Sequence, residues 1–221
     1  GGDIKAIHDT RWRMLECCLD QHMGGDRSGL KALDLASHQG WFAVNLVRAG
    51  FGNVLGIDAR ASHVDDSSLI RDIYGFEHLE FRQGDVHAQG AEKTGTFDLV
   101  LMLGLLYHLE NPIGALRTCR ELCSGLCVIE TQIVPGLNGW VDYGSYQYVR
   151  PLKGSFGIID ETEETHGPEA SITGICLVPS LDALVWILHK VGFSKVDVLE
   201  PPEDAYEQLK YHKRVMVVAH V

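Results

Sequence analysis

Between residues 30 and 131 the chain alternates short apolar runs with stretches of helical periodicity. The apolar runs are Leu30–Leu35, Asn53–Ile57, His78–Arg82, Phe97–Leu103 and Leu126–Thr131. Between them, Trp41–Arg48, Ser62–Tyr74 and Pro112–Leu122 repeat apolar residues at helical spacing. Central runs that are apolar on both faces fit strands covered on both sides, and parallel strands need a crossover between them. The pattern therefore predicts an α/β protein with a Rossmann-like, doubly wound, seven-stranded sheet, mostly parallel. An N-terminal helix over Ile4–Met23 and a helix over Pro179–Val191 flank it. The last two runs, Lys195–Leu199 and Val215–Ala219, are joined through Pro201-Pro202 and at most one turn near Asp204–Leu209. That link has no helical pattern strong enough for a crossover, which predicts an antiparallel hairpin with an antiparallel edge strand. Ser62 with Asp65 three residues later reads as a weak capping box for its helix.

At 221 residues the chain suits one domain with an elaboration. The elaboration is 134–178, a glycine- and aromatic-rich stretch that breaks the rhythm, and long irregular stretches in compact domains are usually lids or binding loops. A decorative insertion or a dimer contact is the plainer reading. The longest apolar run, Leu99 to Leu106, is far short of a membrane span. No basic, apolar leader pattern is visible. The six cysteines include Cys119, Cys123 and Cys127 at three-residue gaps, which suits buried thiols in a reducing, cytoplasmic setting better than a zinc site. No metal is expected. The formal net charge of −11 disfavours RNA or DNA as a general partner. One basic cluster, Lys210, His212, Lys213 and Arg214, reads as a solvated strand entry, with a substrate contact as the alternative.

In an open parallel sheet ligands bind at the carboxyl ends of the strands. Those ends carry Asp34 with the loop Ala36–Gly40, then Asp58 and Ala59, then Asp85 and Val86, then Leu103, Gly104, Tyr107 and His108. An acid closing the second strand is placed to accept hydrogen bonds from ribose hydroxyls. Pyrophosphate needs bare backbone amides in a G-x-G-x-x-G loop. Here Ser37, His38 and Gln39 carry side chains, which suits the phosphate-free methionine tail of S-adenosylmethionine better than a dinucleotide. Asp85 can accept from an adenine amino group.

The segments LDLASHQGWFAVNLVRAG, VLGIDA, FRQGDV and FDLVLMLGLLYHLENP together resemble class I S-adenosylmethionine-dependent methyltransferases. The resemblance implies that Asp34 opens the first motif, Gly40 is its last glycine, Asp58 is the ribose acid and Asp85 the adenine-side acid. Ala36 and His38 stand where that motif has glycines. MLGLLYHLENP, VIETQIV and VPSLDALVWILHKVGF are similar to the tRNA wobble-uridine carboxymethyltransferase family and its short relatives. That likeness implies that Arg11, followed by Trp12, and Tyr107 line the region of the cofactor tail. The family has Lys at the position of Arg11, an additional N-terminal domain and a more basic surface. Only the cofactor pocket is carried over, not the carboxymethyl transfer or the tRNA.

The expectation is methyl transfer from S-adenosylmethionine to a small-molecule or glycosidic acceptor that enters under the insertion. His108 is the first candidate base and His38 the second, needed only where the acceptor atom sheds a proton. Each residue has a plainer reading. Asp58 would serve as a helix cap, Asp85 as a turn former, Tyr107 as packing, His108 as a structural hydrogen bond and Arg11 as a surface charge. His38 has three: a solvent-facing side chain, a contact to the cofactor carboxylate, or a base. His166 is a weaker candidate. The alternatives of another class are a non-catalytic adenosyl-binding module or partner subunit, an RNA-modifying transferase and, disfavoured by the glycine-poor loop, a nicotinamide-dependent oxidoreductase.

Overall fold

The computed structural model describes residues 2–144, 146–161, 171 and 173–221. The chain opens with α1 (Gly2–Met23), β1 (Lys31–Leu35), α2 (Trp41–Arg48), β2 (Asn53–Asp58), α3 (Ala61–Tyr74) and β3 (Leu79–Gln83). The single-turn helix α4 (Ala91–Thr94), β4 (Phe97–Leu103), α5 (Pro112–Leu122) and β5 (Cys123–Gln132) follow. Two ribbons come next, β6 (Asn138–Tyr143) with β7 (Tyr146–Lys153), and β8 (Phe156–Asp160) with β9 (Ile175–Pro179). The chain ends with α6 (Leu181–Val191), β10 (Lys195–Leu199), the short α7 (Glu207–Lys210) and β11 (Arg214–His220).

The main sheet has the order β10-β11-β5-β4-β1-β2-β3. Strands β1 to β5 run parallel, and β11 is antiparallel to both its neighbours. The reversed strand thus lies one place in from the edge, with β10 outermost. From β1 the chain winds outward through β2 and β3, then crosses back to β4. The order reverses between β1 and β4, which is where such a sheet opens a crevice at its carboxyl end.

Period two sorts the strands onto two cores. Leu33, Leu35, Val100, Met102, Cys127 and Ile129 face one way, against Leu116 and Leu122 of α5 and Leu184 and Leu188 of α6. Ala32, Leu99, Leu101, Leu103, Leu126 and Val128 face the other, against Leu15 and Leu19 of α1 and Phe42 and Leu46 of α2. Each buried leucine contributes roughly 1.5–3 kcal/mol, and because both faces are covered the strands carry no polar alternation.

Three local expectations are corrected. α3 starts at Ala61 with Arg60 before it and no side-chain cap, so Ser62 and Asp65 form no capping box. Pro179 ends β9 instead of opening a helix; Ser180 caps α6 by accepting the Ala183 amide. The basic cluster near residue 212 is split, because Arg214 turns inward and is buried. Sequence 134–178 holds the two ribbons. The β8–β9 ribbon is stitched to the turn after β4 by Leu177 N donating to Leu109 O at 3.0 Å. Among the described residues no helix is long and apolar enough to cross a membrane.

Candidate active site

The loop after β1 makes a tight turn although it holds one glycine. Ala36 and His38 both adopt left-handed backbone, with φ of 58° and 49°, and Gly40 follows at 80°. Side chains therefore stand on a backbone that glycine takes without strain, and histidine tolerates it better than most. The Ser37 amide donates to Ile57 O at 3.0 Å and the Gly40 amide to Ser37 O at 2.8 Å, which closes the turn against β2. At Gly40 a Cβ would lie 2.5 Å from the Phe81 ring, so the start of α2 approaches the sheet only without one. Ala36→Gly is expected to raise stability by about 1 kcal/mol by relieving the left-handed strain, read as an increase in urea midpoint. An unchanged or lower midpoint would count against stored strain at this position.

Two acids face this loop. Asp58 is 7% exposed. Its Oδ2 accepts from the His38 amide at 2.8 Å, and its Oδ1 accepts from the Arg60 amide at 3.0 Å and contacts His63 Nδ1 at 3.0 Å. The His63 ring lies against that of His38, with centroids 3.9 Å apart. Asp58 thus anchors the loop through the His38 amide, whereas the His38 side chain is exposed and engaged with His63. Asp34 is buried, and Oδ2 has no hydrogen-bond partner. Burial first, and then the neighbouring Asp58 charge, push its carboxyl up to about 8, against the opposing Ala43 amide. Asp34 is therefore shifted toward its protonated form at neutral pH. Its stabilising proton is fully held below the ordinary value of 3.8 and is lost as pH rises through about 8. Asp34→Asn removes that linkage, so thermal melts should show the variant gaining on the wild type as pH rises across this window. A pH-independent difference would refute the protonated carboxyl.

A second group lies across the ends of β4, β5 and β11. Glu130 is 0% exposed. Arg11 Nη2 donates to its Oε2 at 2.6 Å and Arg214 Nη1 to its Oε1 at 3.3 Å. Arg214 also donates to the Tyr107 hydroxyl at 3.0 Å and to Gln208 Oε1 at 2.6 Å, and its guanidinium lies 4.6 Å from the Tyr107 ring centroid. Burial opposes the Arg214 charge, but Glu130 and Tyr107 outweigh it and its pKa is raised. Two guanidinium groups bracket one carboxylate, leaving the cluster with net positive charge. The surface-charge reading of Arg11 is thereby corrected. Its guanidinium covers Gly104, where a Cβ would lie 3.0 Å from Nη2. His8, one turn earlier on α1, is pushed down to about 4 by burial, with Arg11 and His38 adding to it. On α1 the Asp204 carboxylate takes both Arg13 Nη1 and Nη2 at 2.9 and 2.8 Å at the surface, and Thr10 Oγ1 accepts the Tyr206 amide.

His108 sits in the turn after β4. Its Nδ1 is 2.7 Å from both carboxylate oxygens of Glu161, at the end of β8. Glu161 is 2% exposed and also accepts from the Ser171 amide at 2.8 Å and from Cys176 Sγ at 3.4 Å. Burial and then the Glu161 charge push the Cys176 thiol up to about 11. The Tyr107 and His108 ring centroids are 4.0 Å apart. Two polar groups, Glu161 with His108 and Tyr107 with Arg214, Glu130 and Arg11, thus meet through the stacked Tyr107 and His108 rings.

The remaining expected residues lie around these groups. Leu103 is buried at the end of β4 and Val86 beneath the turn after β3. Ala59 is exposed, and its carbonyl accepts from Gln83 Nε2. Asp85 is exposed and caps that turn through the His87 amide at 2.7 Å, with His87 Nδ1 also on Oδ1. Trp12 is half-buried and packs edge-on against Trp41 at 6.2 Å. His166 lies outside the described residues. All six cysteines are free, and no metal-binding cluster occurs among the described residues. Glu130, Glu161 and His63 are the members that sequence reasoning missed, and Arg214 was singled out only as part of a basic cluster. For Glu130 the signal was an acid inside an apolar strand run, VIET. Glu161 lay in an acidic run with nothing to single it out.

The residues fit an adenosylmethionine tail on one structural observation. Among the described residues the buried side-chain atoms without partners are Arg11 Nε, Asp34 Oδ2, Ser37 Oγ and Arg27 Nε. Three of those four belong to the loop after β1, its leading strand and the helix residue over Gly104. They offer both donors and acceptors to a ligand with an ammonium and a carboxylate.

A family model described as a methyltransferase domain matches residues 15–198. The chain is 25% identical over 206 residues to a tRNA U34 carboxymethyltransferase of Desulfotalea psychrophila, covering 90% of this chain and 55% of that protein. It is 29% identical over 104 residues to a ubiquinone biosynthesis O-methyltransferase of Acinetobacter baylyi, covering 47% of this chain and 43% of that protein. The chain therefore spans about half the length of the curated relatives it matches. Among solved structures, the N-terminal domain of EvdMO1, crystallised in the presence of SAH and D-fucose, superposes with a TM-score of 0.69. The identity is 21%, with 95% of this chain and 81% of that one covered. With the strand order reversing beside Asp34, Asp58 ending the next strand and the matched span taking in β1 to β9 and most of the flanking helices, this chain belongs to the methyltransferase-domain family, on the class I fold of S-adenosylmethionine-dependent methyltransferases.

Proposed function

We propose that this chain transfers a methyl group from S-adenosylmethionine to a small-molecule or glycosidic acceptor. The observations that support the reading are the left-handed loop after β1, tied to Asp58 through the His38 amide, and the unpartnered polar atoms on Arg11, Asp34 and Ser37. When bound, the donor supplies a methyl carbon on a sulfonium that leaves as a neutral thioether. Asp58 would hold the ribose hydroxyls, with His63 now on its Oδ1. Asp85 keeps an exposed carboxylate for the adenine amino group. Arg11 and its neighbours on the Glu130 cluster meet the carboxylate of the tail. His108 stands at the end of β4 as the base, and the β8–β9 ribbon covers the acceptor side and excludes water. Thiols without disulfides suit a cytoplasmic setting. Isothermal titration with adenosylhomocysteine tests the reading. Saturable binding in the micromolar range is expected, and no heat at high micromolar ligand would sink it.

A second reading is favoured by one observation. Arg214 and Arg11 give the cluster beside Tyr107 an excess positive charge, which would neutralise a carboxylate on the transferred group. The name of the Desulfotalea relative suggests such a group. The product mass separates a methyl from a carboxymethyl addition. The net charge of −11 argues against bare RNA as the acceptor for either.

A further inference from the structure

We propose that Glu161, delivered by the β8–β9 ribbon, is the positioning residue that makes His108 a general base, so that the acceptor reacts through a hydroxyl group. This rests on the methyl-transfer reading above. Three observations carry it. Both Glu161 oxygens lie 2.7 Å from His108 Nδ1, and Glu161 is 2% exposed. The carboxylate is itself held, by the Ser171 amide and Cys176 Sγ. The ribbon is fixed to the turn carrying His108 by the Leu177–Leu109 hydrogen bond and is closed by the Glu161 amide donating to Gly174 O at 2.8 Å.

A carboxylate on Nδ1 keeps the proton there and leaves the lone pair on Nε2. It also stabilises the imidazolium that forms when Nε2 takes a proton, being itself nearly fully buried. A latch for the ribbon needs none of this; an apolar contact would hold a strand without burying a carboxylate. In the transfer, the acceptor oxygen bonds to the methyl carbon as the carbon–sulfur bond breaks with its electron pair left on sulfur. The hydroxyl proton passes to His108 Nε2. Atoms and charge balance without any further reagent. An acceptor nitrogen or sulfur that carries no proton would leave the dyad without a task, a thiol ionises near neutral pH unaided and an amine can shed its proton after attack, so a base matters most for a hydroxyl acceptor.

The test uses the full chain and Glu161→Gln, which keeps shape and one acceptor, with His108→Asn as the companion variant. Nitrogen-15 histidine spectra of the wild type should show His108 as the Nδ1–H tautomer, with mixed tautomers in Glu161→Gln. An Nε2–H tautomer in the wild type would overturn the proposal. Adenosylhomocysteine release is then followed from S-adenosylmethionine with catechol and D-fucose as hydroxyl probes and nicotinamide as a nucleophile that sheds no proton. The expected result is turnover of a hydroxyl probe. In Glu161→Gln kcat should fall about 100-fold, with the KM for S-adenosylmethionine unchanged and the acidic limb of the pH profile moved to lower pH. Turnover of nicotinamide alone, of no hydroxyl probe, or an unaltered kcat and pH profile in Glu161→Gln would overturn it. Absence of adenosylhomocysteine binding by the wild type would instead overturn the methyl-transfer reading.

Discussion

Asp58→Ala is expected to weaken adenosylhomocysteine binding by about 100-fold or more, to the point where titration detects none. Two ribose hydroxyls lose a charged acceptor, and hydrogen bonds to a charged group are worth about 1.5–3 kcal/mol each, where 1.4 kcal/mol is tenfold in affinity. The loop suffers as well, since the same carboxylate holds the His38 amide at 2.8 Å in a left-handed conformation that costs energy to maintain. His63→Ala is the informative companion. It removes the imidazole from Asp58 Oδ1 and leaves the acid, so binding should be equal to or tighter than in the wild type. Binding by Asp58→Ala within threefold of the wild type would show that the acid is a structural anchor and not a ligand contact.

Glu130→Gln is expected to lower stability by about 3–5 kcal/mol, the usual effect of removing one partner from a buried ion pair. Arg11 and Arg214 have side-chain exposures of 7% and 8%, so neither guanidinium can recover its hydration when the charge between them goes. The loss should appear as a lower urea midpoint with an unchanged slope. It should also be nearly insensitive to added salt, since buried pairs are poorly screened. A midpoint within experimental error of the wild type would mean that the two arginines are solvated and the cluster is open. Arg13→Ala, which frees Asp204 on the surface, serves as the control and should shift the midpoint little.

Much of this architecture follows from local rules. The solid apolar runs of β1, β4 and β5 could only be central strands, and the helices between them could only be crossovers. The acids at Asp34, Asp58 and Asp85 are strand-end residues by position alone. Boundaries failed where side chains that look alike do different work. Ser62 resembles a cap, but α3 begins one residue earlier, at Ala61. Arg214 sits in a basic run, yet as the first residue of β11 it turns its side chain inward toward Glu130.

The sequence by itself determined the doubly wound sheet, the crevice at its carboxyl ends and the donor that such a crevice suits, because periodicity and strand-end chemistry are local in the chain. Tertiary structure alone decided which charges meet there. Arg11 reaches Glu130 across 119 residues, Arg214 reaches Tyr107 across 107, and His108 reaches Glu161 across 53. Pairing of buried charges is set by which groups lose their water together, and only the folded chain specifies that. The glycine-poor loop shows the same division. Its residues suggest a turn that suits a phosphate-free tail better than a dinucleotide, and the Asp58 hydrogen bond to the His38 amide ties the left-handed backbone of that turn to β2.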